Sequence, residues 1–238
     1  MKISVPVIIL PIFFSAQALA ETTSATDAWK ASAEIGYVST SGNTETSTLN
    51  AKAMATNENA QWRHKIEATT LNASDAVKTT AKKFTLEGQS DYKLQQSNYL
   101  FGVVAYEDDK FSGYDYRLTE SIGYGHRVVD QTDLSLDLEI GPGARQSKLD
   151  NGDSENEALL RGAAKLGWNI SKTSKFAENF SVEVGEDVTV SKSVSSLSSQ
   201  IDGNLSMKLT FTYKNTSSVP VGFDETDTET GVTLVYTF

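Results

Sequence analysis

The residues of this chain that could do chemistry are charged, and they recur at every second position. Glu34, Arg63, Glu67, Glu87, Asp91, Arg117, Arg127, Asp137, Glu139, Arg161, Lys165 and Lys208 each lie in a run where polar and apolar residues alternate. A period of two places such residues on one face of a strand. If those faces turn toward a common lumen, two chemistries are open. Rings of charge can form a selectivity constriction, or pairs of mixed sign can brace a narrow, solvated interior. The mixture of signs here favours bracing. Arg117, Arg127 and Arg161 are expected to meet Asp137 and Glu139, because the strands that carry them follow one another.

Catalysis finds little support in residue types. The chain holds two histidines, His64 and His126, and no cysteine. A barrel hydrolase needs a serine nucleophile beside a histidine base, and neither histidine sits in a His-x-Ser arrangement. No catalytic residue, metal site or cofactor is therefore expected. A lipid or peptide hydrolase is kept as the alternative. Acidic runs at Asp108-Asp109, Asp150 to Glu155 and Asp224 to Asp227 could hold divalent cations that bridge lipopolysaccharide phosphates. Solvated loops are the simpler reading of these runs.

The elements that must position the charges are strands. Alternation is legible over 29–37, 48–55, 62–68, 84–93, 116–127, 134–140, 160–168, 179–184, 205–213 and 231–238, and a further strand over 99–106 is apolar on both faces. Glu120 interrupts the apolar face of its run, which predicts either a bulge or a lapse of register there. Polar loops are expected over 72–78, 107–115 and 146–155. The serine-rich stretch 188–200 is ambiguous, and parity decides it. A bacterial outer-membrane barrel has an even number of strands, so counting this stretch gives twelve, with ten as the alternative. The predicted fold is all-β, a transmembrane antiparallel up-and-down β-barrel. Only 39% of residues are hydrophobic, which suits a wall with one polar face. A secreted β-sandwich would alternate too, but it has no reason to sort aromatic residues by level. In the barrel, Trp29, Trp62 and Trp168 fall at one rim with Tyr92, Tyr99 and Phe238. Tyr37, Phe84, Tyr116 and Tyr213 fall at the other, giving the two girdles expected of such a wall.

Residues 1–20 read as a cleaved signal peptide: Lys2, an apolar run, then Ala18-Leu19-Ala20. Residues 21–28 form a short polar leader, and 29–238 form the barrel. The formal charge of −10 argues against a nucleic-acid partner, which would want a basic stripe. The final run, with Val232, Leu234, Tyr236 and Phe238 on one face, looks like a closing strand. Tyr236 and Phe238 would then be the signal read by the barrel-assembly machinery. Other expected partners are outer-membrane lipid and lipopolysaccharide, with the chain as a monomer in the bacterial outer membrane.

Several motifs carry a resemblance. They are Ser41-Gly42-Asn43-Thr44, Tyr114-Asp115-Tyr116-Arg117, Gly123-Tyr124-Gly125-His126-Arg127 and Glu139-Ile140-Gly141-Pro142-Gly143-Ala144-Arg145, with endings at 205–213 and 226–238. In this order the chain resembles the salt-induced outer-membrane protein (YdiY-like) family, whose domain has no assigned function. His126 and Ala144 depart from the aromatic residues expected at their positions. The resemblance implies an outer-membrane location and no chemistry, and the residues themselves lead to the expectation of a structural or narrow-channel role with a charged lumen.

Overall fold

The structure, a computed structural model, describes residues 28–40, 46–75 and 79–238. The expected signal peptide over 1–20, residues 21–27 of the expected leader and the turn expected at Ser41-Gly42-Asn43 lie outside the described residues. Twelve strands follow in order: β1 (Lys30–Thr40), β2 (Thr46–Glu58), β3 (Trp62–Asp75), β4 (Thr79–Lys93), β5 (Asn98–Asp109) and β6 (Tyr114–Asp130). They continue as β7 (Leu134–Leu149), β8 (Ser154–Asn169), β9 (Ser174–Gly185), β10 (Thr189–Asp202), β11 (Leu205–Thr216) and β12 (Thr226–Thr237). Each pairs antiparallel with the next, and β1 pairs with β12 to close the barrel. The seam is short, running from Ser32 to Ile35 against Leu234 to Thr237. The serine-rich stretch is a full strand, β10, in register with β9 and β11.

The packing is inverted relative to a water-soluble protein. Ile35, Ile66, Leu100, Ile122, Ile140, Phe180, Leu209 and Leu234 are exposed on the outer wall, while the buried set is mostly polar or charged. An apolar outer band with a polar interior is the arrangement a bilayer selects. A water-soluble monomer seldom exposes so large a contiguous apolar surface.

Three expectations change. The loops are shorter than predicted, because β3 runs to Asp75, β5 to Asp109 and β7 to Leu149. Ladder hydrogen bonds join backbone groups, so polar residues beyond the apolar band extend a strand as readily as apolar ones. Glu120 causes no bulge. It keeps register with Val104 and Ala144 on the outer face, and the β6–β7 irregularities fall at Tyr114/Tyr116 and Arg127/Val129. Tyr99 is not a rim residue. It turns inward at 5% exposure, into room left by Gly125, whose Cβ would stand 2.2 Å from the Tyr99 ring.

The tryptophans Trp29, Trp62 and Trp168 are exposed at the end where β1 starts and β12 finishes. Tyr236 and Phe238 pack edge to face at 5.0 Å beside them. Phe238 is 74% exposed, and its backbone N–H donates to the Ala31 carbonyl at 2.9 Å. One such hydrogen bond is worth about 1 kcal/mol, so deleting Phe238 is expected to change the stability of the folded barrel little. If Phe238 is an assembly signal, the same deletion will sharply lower the amount of protein recovered in the outer-membrane fraction. Normal recovery would remove that role.

Candidate functional site

Period-two alternation turns the twelve charged residues named from sequence toward the interior, and closure decides which of them meet. The densest group surrounds Glu139 on β7, whose side chain is fully buried. It accepts hydrogen bonds from Lys165 Nζ at 2.7 Å, Arg161 Nη1 at 3.0 Å, Gln89 Nε2 at 2.9 Å and the Tyr99 hydroxyl at 3.1 Å. Lys165 also reaches Gln89 Oε1 at 2.6 Å. A neighbouring chain of pairs joins Asp91 to Arg63 at 2.7 Å, Arg63 to Asp137 at 3.1 Å and Asp137 to Arg127 at 2.7 Å. Since β3 and β4 are not neighbours of β7 and β8, the Arg63–Asp137 and Gln89–Glu139 contacts can only cross the interior. Below this group a cavity of about 350 Å³ opens between the turns at 59–61 and 94–97, lined by Arg63, Asp91, Lys93, Tyr99 and Arg127 among others.

A second crossing group lies toward the other end. Glu107 accepts from Arg117 and from Lys214 Nζ at 2.6 Å, and Lys83 reaches Glu229 at 2.9 Å. These contacts tie β4, β5 and β6 to β11 and β12. Arg117 is therefore drawn to Glu107, not to Asp137 or Glu139 as expected, whereas Arg127–Asp137 and Arg161–Glu139 form. Smaller pairs complete the interior: Lys208 with Glu34 at 2.9 Å, and Glu67 with Lys52 at 2.6 Å and Lys65 at 2.9 Å. Glu87 makes no hydrogen bond or ion pair among the described residues.

Sequence reasoning left out Gln89, Tyr99, Glu107, Arg145 and Lys214. Arg145, only 3% exposed, holds Glu157 at 2.8 Å and Glu183 at 2.9 Å. Each of these residues alternates in phase with its strand, and that parity was the available signal.

Neither crossing group includes a residue of β9 or β10, although Arg145 holds Glu183 of β9. On β9 and β10 no inward residue is buried, and Lys175, Asn179 and Gln200 are exposed. Both histidines face outward at the Trp29 end. His126 Nδ1 lies 2.7 Å from Asn98 Oδ1, and His64 Nδ1 lies 2.9 Å from Ser90 Oγ.

A closed antiparallel barrel with an apolar outer wall and a charged interior defines the outer-membrane β-barrel class. A solved structure agrees on the fold. The NanC porin covers 98% of its own chain and 88% of this one with a TM-score of 0.55 at 11% identity. An outer membrane channel from Pseudomonas putida F1 matches over 91% of this chain and 97% of its own, with a TM-score of 0.49 at 10% identity. Within that class, the chain belongs to the family described as "Protein of unknown function, DUF481", whose model matches residues 33–238. It is 29% identical over 202 residues to the uncharacterized protein YdiY of Escherichia coli (strain K12), covering 84% of this chain and 80% of that protein.

Proposed function

We propose that the barrel is a narrow passage through the outer membrane, with its interior constricted and held in shape by the ion pairs that cross it. The observation that carries this reading is the asymmetry of the interior. The first crossing group lies on the side bounded by β3 to β8 and the second reaches from β4–β6 to Lys214 on β11 and Glu229 on β12, while no inward residue of β9 and β10 is buried. Such a passage admits water and small polar solutes. It has weak intrinsic preference between cations and anions, since each constricting acid is matched by a base.

Single-channel recording in a planar bilayer tests this. The expected result is small, discrete conductance steps that scale with salt concentration. No steps across a range of salt would overturn the passage and leave a barrel filled for shape alone.

A further inference from the structure

We infer that the outer wall carries a second site, in which Ser90, His64 and Asn57 form a nucleophile, a base and a positioning residue for hydrolysis of a glycerophospholipid acyl ester. The three occupy one rung of the sheet. Asn57 on β2 lies opposite His64 on β3, and His64 lies opposite Ser90 on β4. Alternation turns all three to the outer face, since Trp62, Ile66 and Tyr92 share their parity and are exposed.

His64 Nδ1 stands 2.9 Å from Ser90 Oγ, the reach a general base needs to take a hydroxyl proton. The imidazole is held in a stack, 5.4 Å from Trp62 at 13° and 6.3 Å from Trp29 at 21°. That stack limits rotation of the ring away from Ser90. With Nδ1 as acceptor, the ring proton belongs on Nε2, and Asn57 is the polar residue opposite it on the same rung. Asn57 is only 8% exposed although it lies on the outer face. A base oriented by a third polar group is the arrangement that activates a serine.

Space for substrate lies on the other side of Ser90. Gly102 is its partner on β5, and Gly88 is the next outward position on β4. A Cβ at either glycine would have no atom within 4 Å, so the wall beside the hydroxyl is open. Depth selects the substrate. Trp29, Trp62 and Tyr92 ring the site, and Trp and Tyr settle at the headgroup level of a bilayer. Glycerol ester bonds lie at the boundary just beneath the headgroups. At that depth the nucleophile faces the acyl esters.

In the reaction, Ser90 Oγ adds to the ester carbonyl carbon while His64 takes the hydroxyl proton. The bond from that carbon to the glycerol oxygen breaks, and His64 returns the proton to the glycerol oxygen, releasing lysophospholipid. Water then adds to the acyl-serine with His64 again as base. Fatty acid leaves, and the proton returns to Ser90. The backbone N–H groups around Ser90 serve the ladder, so turnover is slow. An absent oxyanion donor costs about 10²- to 10³-fold.

The test uses the full barrel in mixed micelles of detergent and phosphatidylethanolamine, with free fatty acid and a covalent fluorophosphonate label as readouts. The wild type is expected to release fatty acid and to take the label on Ser90. Ser90→Ala should lose both, and His64→Gln should lose roughly 10²-fold or more in rate. Asn57→Ala should lower kcat with KM unchanged, and Asn57→Asp should restore it, which a merely structural role would not produce. Unchanged gel mobility of the unboiled variants keeps misfolding out of the comparison. Fatty acid release equal in wild type and Ser90→Ala, or no label on the wild type, would overturn the site. Conductance does not depend on Ser90, so this outcome stands apart from that of the bilayer recording.

Discussion

Glu139→Ala is expected to destabilise the barrel by about 3 kcal/mol, the lower end of the cost of breaking a buried ion pair. The Glu139 side chain is fully buried and faces Arg161 and Lys165 at 3.0 and 2.7 Å. Removing it leaves two cations side by side and strips an acceptor from Gln89 and Tyr99. The lower end applies because the Lys165 side chain keeps 28% exposure and can recruit water once its partner is gone. Glu139→Gln retains an acceptor and should lose about half as much. Unfolding by urea in a detergent–lipid mixture, followed by tryptophan fluorescence, measures both. A loss below about 1 kcal/mol for the alanine variant would class Glu139 with solvated surface pairs and remove it as the centre of the brace.

Gly141→Val is expected to do more, preventing closure between β6 and β7. A Cβ at Gly141 would stand 2.0 Å from the Ile122 carbonyl oxygen and 2.6 Å from the Gly123 Cα. From the other side, a Cβ at Gly123 would meet the Ile140 oxygen at 2.3 Å. These obstacles are backbone, so no rotamer change relieves them and the strands must part. Overpacking that side chains can absorb costs about 1–3 kcal/mol. A clash between two backbones exceeds that range. The variant should lose the compact form that runs at a different position in unboiled gel samples. Gly162→Ala is the control, since its nearest neighbour would be the Val182 side chain at an ordinary 3.6 Å. A Gly141→Val barrel that folds like the Gly162→Ala barrel would show that β6 and β7 can separate at no cost.

The same contact explains the motif around Gly141, Pro142 and Gly143. Here the glycines let two strands approach closely beneath the Glu139 group, and Gly123 and Gly125 make room for Phe101 and Tyr99. Tyr99 could then turn inward to reach Glu139, and an aromatic residue expected at the rim became part of the brace.

What the sequence by itself determined was everything carried by a period of two. Alternation placed the strands, parity separated lumen from lipid for the twelve charged residues, and the even count admitted β10 in spite of its serines. The first two are local properties, readable within one strand, and the count only sums them along the chain. Partnerships were decided by tertiary structure, because register between strands depends on turn lengths and on how the sheet closes. Arg117 and Arg127 are equally plausible partners for Asp137 in the sequence. In the barrel Arg127 meets Asp137, and Arg117 is carried to the far end, where Glu107 and Lys214 wait. His64 and Ser90 are 26 residues apart, so no spacing rule on a single strand could join them. Pairing of β3 with β4 brings them to one rung, and the aromatic girdle sets that rung at the depth of the lipid esters.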